Sequence, residues 1–166
     1  GHYLTSATPL VKRMVEDGHI IGNHSNNHPN MAKLSDAEIL KEWTEFDQKL
    51  KELTNVSRTY YARPPEGIYN ERVLKVGIEN NYRHIFWSIA FKDWDRNSTL
   101  PASYAYDALM KQLHPGAIIL MHSVARHNAE ALPQFINDAK AKGYTFASLD
   151  DLVMSYELNK FEKFGQ

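Results

Sequence analysis

The sequence predicts an α/β fold in which parallel strands alternate with helices. Five short runs rich in apolar, aromatic or β-branched residues are separated by segments with helical periodicity. The run 117–121 is apolar at every position, which is typical of a strand in a parallel sheet covered by helices on both faces. The chain has 166 residues, of which 43% are hydrophobic, so we expect one domain over residues 1–166.

The helices are predicted from their caps and from apolar residues at helical spacing. Thr8-Pro9 begins the first helix, and Gly18 ends it as a C-terminal glycine cap. Ser35 begins the second helix, with Glu38 three residues later completing a capping box. The apolar face of this helix contains Ile39, Leu40, Trp43, Phe46, Leu50 and Leu53. The later helices are expected at 71–79, 104–113 and 129–141, followed by a closing helix capped by residues 148–151.

The strands are predicted at 19–21, 60–62, 84–88, 117–121 and 145–147. The carboxyl ends of parallel strands meet at one rim of a sheet or barrel, so polar residues that follow strands are the first candidates for a site. These candidates are residues 23–29, 63–67, 93–94 and His122, after the first four strands in order. Four loops of the predicted rim therefore carry side chains capable of chemistry.

The first of these loops contains a pair of histidines. His24 and His28 are four residues apart, which lets two imidazoles reach one divalent ion if the chain turns helically between them. The spacing is similar to that of the protease zinc helix, but Ser25 replaces the glutamate of that motif and Pro29 ends the turn. A zinc protease is therefore disfavoured. The alternative is two surface histidines in an asparagine-rich loop, and the position on the rim favours the metal site.

The other three loops offer a cation and a possible proton-transfer pair. Arg63 precedes two prolines, which places it on a stiff loop, either as a surface ion pair or as a guanidinium that orients a catalytic carboxylate. His122 is suited to proton transfer near neutral pH, with Asp93 as a partner for its ring; the alternative is a core histidine bonded to a backbone carbonyl. Trp94 is either a core residue or a wall of a sugar site.

In their order along the chain, these motifs resemble those of the polysaccharide deacetylases of carbohydrate esterase family 4. The family pattern is His-Ser/Thr-x-x-His-Ser/Pro, then Arg-x-Pro-x-Gly, then Asp-Trp, then Leu-x-His. The corresponding segments here are 24–29, 63–67, 93–94 and 120–122, so the resemblance covers nearly the whole chain. The family has a distorted (β/α) barrel, and the resemblance therefore implies a barrel of this type, truncated at its N terminus.

The resemblance also implies a metal site. His24 and His28 would be two of three protein ligands to a divalent metal, with zinc as the first expectation and cobalt, manganese or iron as alternatives. The first motif of the family, Thr-Phe-Asp-Asp-Gly or a close variant, supplies the catalytic base and the third ligand, and it does not occur in this sequence. We expect it upstream of Gly1, so the 166-residue chain alone should bind metal weakly and turn over little.

The implied reaction is metal-assisted hydrolysis of an N-acetyl group. Arg63 would position the catalytic base, and His122, tuned by Asp93, would protonate the leaving amine. The residues implied to contact the substrate or to help stabilise the oxyanion are Pro64, Glu66 through its backbone N–H, and Trp94.

The substrate is predicted from a resemblance to one branch of the family. Segments 87–94, 104–107 and 114–117 are similar to the branch that deacetylates N-acetylmuramic acid during muramic δ-lactam formation in spore cortex. The predicted partner is therefore peptidoglycan or a related N-acetylated glycan. The alternatives are a family member acting on chitin-type, xylan or small amide substrates, and a glycan-binding module that has lost catalysis.

Composition excludes other classes of function. The 19 Lys and Arg residues balance 20 Asp and Glu residues, so nucleic acid is not an expected partner. No apolar run is long enough for a transmembrane segment, and an export signal to the cell envelope or the extracellular space is expected upstream of residue 1. A truncated barrel would expose strand edges, so a non-native or swapped dimer is expected.

Overall fold

The computed structural model describes the polypeptide over residues 1–164 and the side chains over residues 1–157. The chain divides into two compact units: unit 1 is Gly1–Phe86, and unit 2 begins at Trp87. The helices of unit 1 are α1 (His2–Ser6), α2 (Thr8–Glu16), α3 (Asp36–Thr54) and α4 (Glu71–Glu79), and its strands are β1 (Tyr61–Ala62) and β2 (Arg83–His84). The helices of unit 2 are α5 (Ala102–Gln112), α6 (Arg126–Ala141) and α7 (Leu149–Phe164). Short 3-10 helices lie at Met31–Lys33 and Pro65–Gly67.

Helix α3 supplies more residues to the core of unit 1 than any other described element. Its capping box is present: Ser35 Oγ accepts from the Glu38 N–H, and Glu38 Oε2 accepts from the Ser35 N–H. The predicted apolar face is confirmed, with four of its six residues buried, Ile39, Trp43, Phe46 and Leu50, and two partly buried, Leu40 and Leu53. Burial of this face stabilises the helix far more than intrinsic propensity does.

A two-stranded parallel sheet lies beside α3 and α4. Tyr61 pairs with Arg83 and Ala62 with His84, so the predicted parallel pairing is confirmed. The predicted strand 60–62 is confirmed in shortened form, whereas the strand 84–88 is wrong beyond its first residue, because the ladder ends at His84.

The predicted strand 19–21 is also wrong. The backbone of this segment joins no ladder, and the bridge to β1 is made later, by Asn23 with Ala62. Ile20 is 40% exposed, so the run lacks the burial that a central parallel strand requires. Two adjacent isoleucines in a short apolar run were too weak a signal to separate a strand from an extended loop.

Unit 2 is built around the packing of α5 on α6. Its buried cluster contains Ile89, Leu109, Phe135 and Ala139. The predicted strand 117–121 is wrong, because the segment does not form a regular ladder. It makes one parallel bridge, between Ile119 and Ile89, and its residues are half-buried. The predicted strand 145–147 is wrong as well, since Phe146 is 52% exposed and the segment has no strand partner within residues 1–164. Residues 1–164 therefore form a helix-rich α/β structure whose regular sheet has two strands.

The helix predictions succeed because their signals are local. Helices α2 and α4 match the prediction, α5 and α6 begin two and three residues earlier than expected, and α7 follows Ser148, whose hydroxyl accepts from the Asp151 N–H. Helix α1 was not predicted. None of the helices described in residues 1–164 is long and apolar enough to cross a membrane.

Candidate functional site

The two predicted metal ligands lie in a loop of unit 1, here called the histidine loop (residues 23–29). The imidazole centroids of His24 and His28 are 5.0 Å apart, with the rings edge to face. The chain does not turn helically between them, because Ser25 has φ 66° and His28 has φ 58°, both left-handed. The side-chain oxygen of Asn23 accepts from the Ser25 N–H at 3.0 Å, a local bond that competes with helix formation.

The histidine loop is anchored in the interior of unit 1. The Asn23 side chain is buried, and its Nδ2 donates to the Trp43 carbonyl at 3.0 Å and to Asp47 Oδ1 at 3.1 Å. The Ser25 hydroxyl then accepts from the His28 N–H at 2.9 Å. A continuous series of hydrogen bonds therefore connects a buried carboxylate with the second histidine.

Asp47 is the centre of this buried network. It is 8% exposed, and it accepts from the Thr59 N–H at 3.2 Å, from the Thr59 hydroxyl at 2.6 Å and from the Tyr82 hydroxyl at 2.9 Å. Burial and the hydrogen bond to Asp47 raise the pKa of Tyr82 well above its ordinary value. None of the motifs in the sequence pointed to Asp47, Thr59 or Tyr82.

The orientation of His24 suits a metal ligand. Its Nδ1 lies 2.6 Å from the carbonyl oxygen of Arg63, and since a carbonyl can only accept, Nδ1 carries the hydrogen. The Nε2 lone pair is then directed away from this bond, which is the arrangement that outer contacts of metal-bound histidines impose. With Zn–N bonds of about 2 Å and tetrahedral geometry, two imidazole centroids on one ion lie about 5 Å apart, as His24 and His28 do.

These two residues fit part of a ligand set. Within residues 1–157, no group of three His, Asp or Glu side chains comes together to hold a metal ion. Structural and catalytic zinc sites use at least three protein ligands. A complete site would therefore need a further ligand in addition to His24 and His28.

The arginine loop (residues 63–67) lies next to the histidine loop. The Arg63 N–H donates to the Asn23 carbonyl at 2.8 Å, so the two loops are joined through their backbones as well as through His24. Pro64 is buried, and Glu66 is exposed with φ 58°. A non-glycine residue in this conformation costs free energy, and such strain is concentrated at functional sites. The roles predicted for Arg63, Pro64 and Glu66 stay predictions.

Unit 2 contains the predicted proton-transfer pair. His122 Nδ1 lies 2.7 Å from Asp93 Oδ1, and the His122 backbone N–H donates to Asp93 Oδ2, also at 2.7 Å. Asp93 is 1% exposed, whereas 33% of the His122 side chain is accessible. The carboxylate thus accepts from Nδ1 and leaves Nε2 as the ring atom available for proton exchange. The expected contact is present, and the catalytic roles remain to be tested.

Two other residues complete this cluster. The Trp94 ring is 59% exposed and lies 6.3 Å from the His122 ring, edge to face, so it is not a core residue. Asn128, at the start of α6, donates from Nδ2 to Asp93 Oδ2 at 2.7 Å and to the His122 carbonyl at 2.8 Å. Sequence reasoning missed Asn128, because it lies six residues after His122 in no motif.

The predicted site residues therefore form two groups. Unit 1 brings together the side chains and backbones of His24, His28 and Arg63, followed by Pro64 and Glu66. Unit 2 brings together Asp93, Trp94 and His122. The first group can contribute imidazole ligands to a divalent cation, and the second can hold and transfer a proton.

Comparison with known proteins shows which family this chain resembles in sequence. Residues 1–85 match the model of the polysaccharide deacetylase family. The chain is 44% identical over 158 residues to a peptidoglycan-N-acetylmuramic acid deacetylase, PdaA, of Bacillus subtilis, covering 95% of this chain and 60% of that protein. The chain thus spans about three fifths of the length of curated relatives that it matches.

Solved structures show the same relationship. The structure of Bacillus subtilis PdaA, a family 4 carbohydrate esterase, superposes with a TM-score of 0.90 and 43% identity, covering 94% of this chain and 67% of that one. BA3943 from Bacillus anthracis, described as a pseudoenzyme of the same family, superposes with a TM-score of 0.82 and 29% identity, covering 92% of this chain and 52% of that one.

Proposed function

The chain belongs to the polysaccharide deacetylase family, and from this premise we propose that it is part of a metal-dependent enzyme that hydrolyses N-acetyl groups on peptidoglycan sugars. The observation that carries the proposal is the His122–Asp93 pair, in which a buried carboxylate orients a partly exposed imidazole. We further propose that residues 1–166 are the C-terminal portion of one catalytic domain with a distorted (β/α) barrel. The parallel pairing of β1 with β2 and the parallel bridge of Ile89 with Ile119 support that architecture.

His122 is proposed as the general acid. During hydrolysis the oxygen of water bonds to the acetyl carbon, a carboxylate base takes the proton of the water, and the C–N bond breaks. His122 Nε2 then delivers a proton to the amine nitrogen, so that acetate and a free amino sugar leave. Asp93 holds the hydrogen on Nδ1 and stabilises the imidazolium before the transfer.

A divalent metal is proposed as the cofactor, with zinc as the first candidate and cobalt, manganese or iron as alternatives. His24 and His28 would hold it together with an aspartate of the family's first motif, which is not among these 166 residues. The ion would supply a Lewis acid for the acetyl carbonyl. The hydrogen bond from His24 to the Arg63 carbonyl fixes the ring orientation that this role requires.

The remaining site residues are proposed to position the base and the substrate. The Arg63 guanidinium would orient the catalytic carboxylate, and the Glu66 N–H, with Pro64 stiffening its loop, would donate to the oxyanion. The exposed Trp94 ring would contact the sugar beside His122. A peptidoglycan substrate would put the protein at the cell envelope or outside the cell.

The substrate is proposed to be N-acetylmuramic acid in peptidoglycan, as in δ-lactam formation of spore cortex. The 44% identity to the muramic acid deacetylase of Bacillus subtilis supports this choice. A second candidate is a glycan-binding protein without catalysis. The similarity to a pseudoenzyme of the family favours this alternative.

Acetate release from purified peptidoglycan tests the proposal. The assay compares the 166-residue chain with a longer form that carries an Asp-Asp-Gly segment, each with added metal. In the active form, His122→Ala should lower turnover about 10²- to 10⁴-fold while metal content stays near normal. His24→Ala should lower both turnover and metal content.

Matched controls separate these effects from general damage. His114 and His19 are exposed histidines of units 2 and 1, so His114→Ala and His19→Ala should leave both readouts unchanged. If His122→Ala kept most of the activity, the assignment of the general acid would be wrong. Glycan binding without acetate release by either form would favour the binding protein.

A further inference from the structure

We infer that Asn128 is a positioning residue that locks the Asp93–His122 pair in its proton-transfer arrangement, an inference that rests on the proposed function. Asn128 is 3% exposed and lies in the first turn of α6, outside the family motifs. Its single NH₂ group donates one hydrogen bond to Asp93 Oδ2 and one to the carbonyl of His122.

With these bonds, both oxygens of the Asp93 carboxylate have hydrogen-bond partners. Asp93 Oδ1 is engaged by the His122 ring, and Asp93 Oδ2 accepts from both the His122 N–H and the Asn128 amide. Without Asn128, His122 would be the one remaining hydrogen-bond partner of the Asp93 carboxylate among the described residues, and the two residues could move together. With Asn128, both members of the pair are fixed to a helix.

The oxygen of the Asn128 side-chain amide indicates that the orientation of this amide is fixed. Asn128 Oδ1 is buried and has no hydrogen-bond partner among the described residues. Turning the amide over would bring this oxygen against Asp93 Oδ2, where two acceptors repel each other. A buried carbonyl without a donor is unfavourable, and its presence indicates that the contacts of the NH₂ group outweigh it.

The consequence for catalysis lies in the tautomer of His122. While Asp93 is held in place, Nδ1 keeps its hydrogen and Nε2 exchanges protons with the substrate. Loss of the Asn128 amide should let the carboxylate rotate, and the two neutral tautomers would then mix. Asn128 would act through Asp93 and His122 without touching the substrate.

Nitrogen-15 NMR of the His122 ring tests this inference in the 166-residue chain. The spectra are recorded at a pH at which the ring is neutral, and the signals are assigned with His122→Ala. We expect the Nδ1–H tautomer to predominate in the parent and a mixture in Asn128→Leu. Asn128→Ala provides a second variant if leucine prevents folding.

Phe135→Leu is the matched control, because Phe135 lies on the same helix and its substitution weakens the core of unit 2 at the buried cluster. It should keep the parent tautomer. If both Asn128 variants kept the parent tautomer, or if Phe135→Leu gave the same mixture, the inference would be overturned.

A kinetic measurement separates this inference from the proposed function. In the active longer form, Asn128→Leu should lower kcat about 10- to 100-fold with little change in KM. A change of tautomer without acetate release by any form would uphold the role of Asn128 in orienting the pair and would count against the deacetylase itself.

Discussion

Replacing Asp47 by alanine should strongly destabilise unit 1. The carboxylate is buried and accepts from the Thr59 N–H, the Thr59 hydroxyl, the Tyr82 hydroxyl and Asn23 Nδ2. Asn23 Nδ2 keeps only its bond to the Trp43 carbonyl, so four donor hydrogens lose their acceptor. At about 1–3 kcal/mol for each unsatisfied donor, and with some reorientation of the two hydroxyls, we expect a loss of about 3–5 kcal/mol.

Urea denaturation followed by circular dichroism measures this loss, and hydrogen exchange locates it. Asp47→Asn keeps the shape but removes the charge, so its loss should be smaller, about 1–2 kcal/mol. Glu52→Ala changes an exposed acid of the same helix and should shift the free energy of unfolding by less than about 0.5 kcal/mol. If Asp47→Ala matched Glu52→Ala, the network would not stabilise unit 1. If exchange at residues 23–28 did not increase, Asp47 would not anchor the histidine loop.

Two smaller predictions concern a helix cap and alkaline pH. Ser35→Ala removes the acceptor of the Glu38 N–H and should cost about 1 kcal/mol in urea denaturation, whereas Ser155→Ala should cost less. The raised pKa of Tyr82 means that its contribution to stability is complete below about pH 10, the ordinary tyrosine value, and decreases as the pH rises above it. Tyr82→Phe should flatten this alkaline loss in a pH series of thermal unfolding, and an unchanged slope would contradict the assignment.

The features that could be predicted from the sequence are those with local causes. Ser35 and Glu38 lie one helical turn apart, so their pairing depends on no distant partner. The strands needed more information: whether residue 119 joins a ladder depends on Ile89, thirty residues earlier, and only one bridge forms between them. Apolar character alone did not distinguish such a segment from a regular strand.

In the candidate site too, contacts between distant residues were harder to predict than local ones. The four-residue spacing indicated that His24 and His28 lie together, and their rings are 5.0 Å apart, although the backbone between them is left-handed at Ser25 and does not form a helical turn. The His122–Asp93 contact was anticipated from residue types on one rim. Asn128 and Asp47 were not, because asparagine and aspartate in helices are usually solvated, and their importance arises from distant partners.

The left-handed conformations of Ser25 and His28 affect how the histidine loop could be reused in protein design. A seven-residue peptide carrying both imidazoles would not by itself keep these torsions in another scaffold, since non-glycine residues adopt them only under external constraint. A successful graft would also need the buried carboxamide of Asn23 and the acceptors that hold it, the Trp43 carbonyl and Asp47. A graft would therefore have to include the loop together with the middle of α3. In such a unit the loop is ordered during folding, so most of the entropy cost of ordering it is not incurred when a ligand binds.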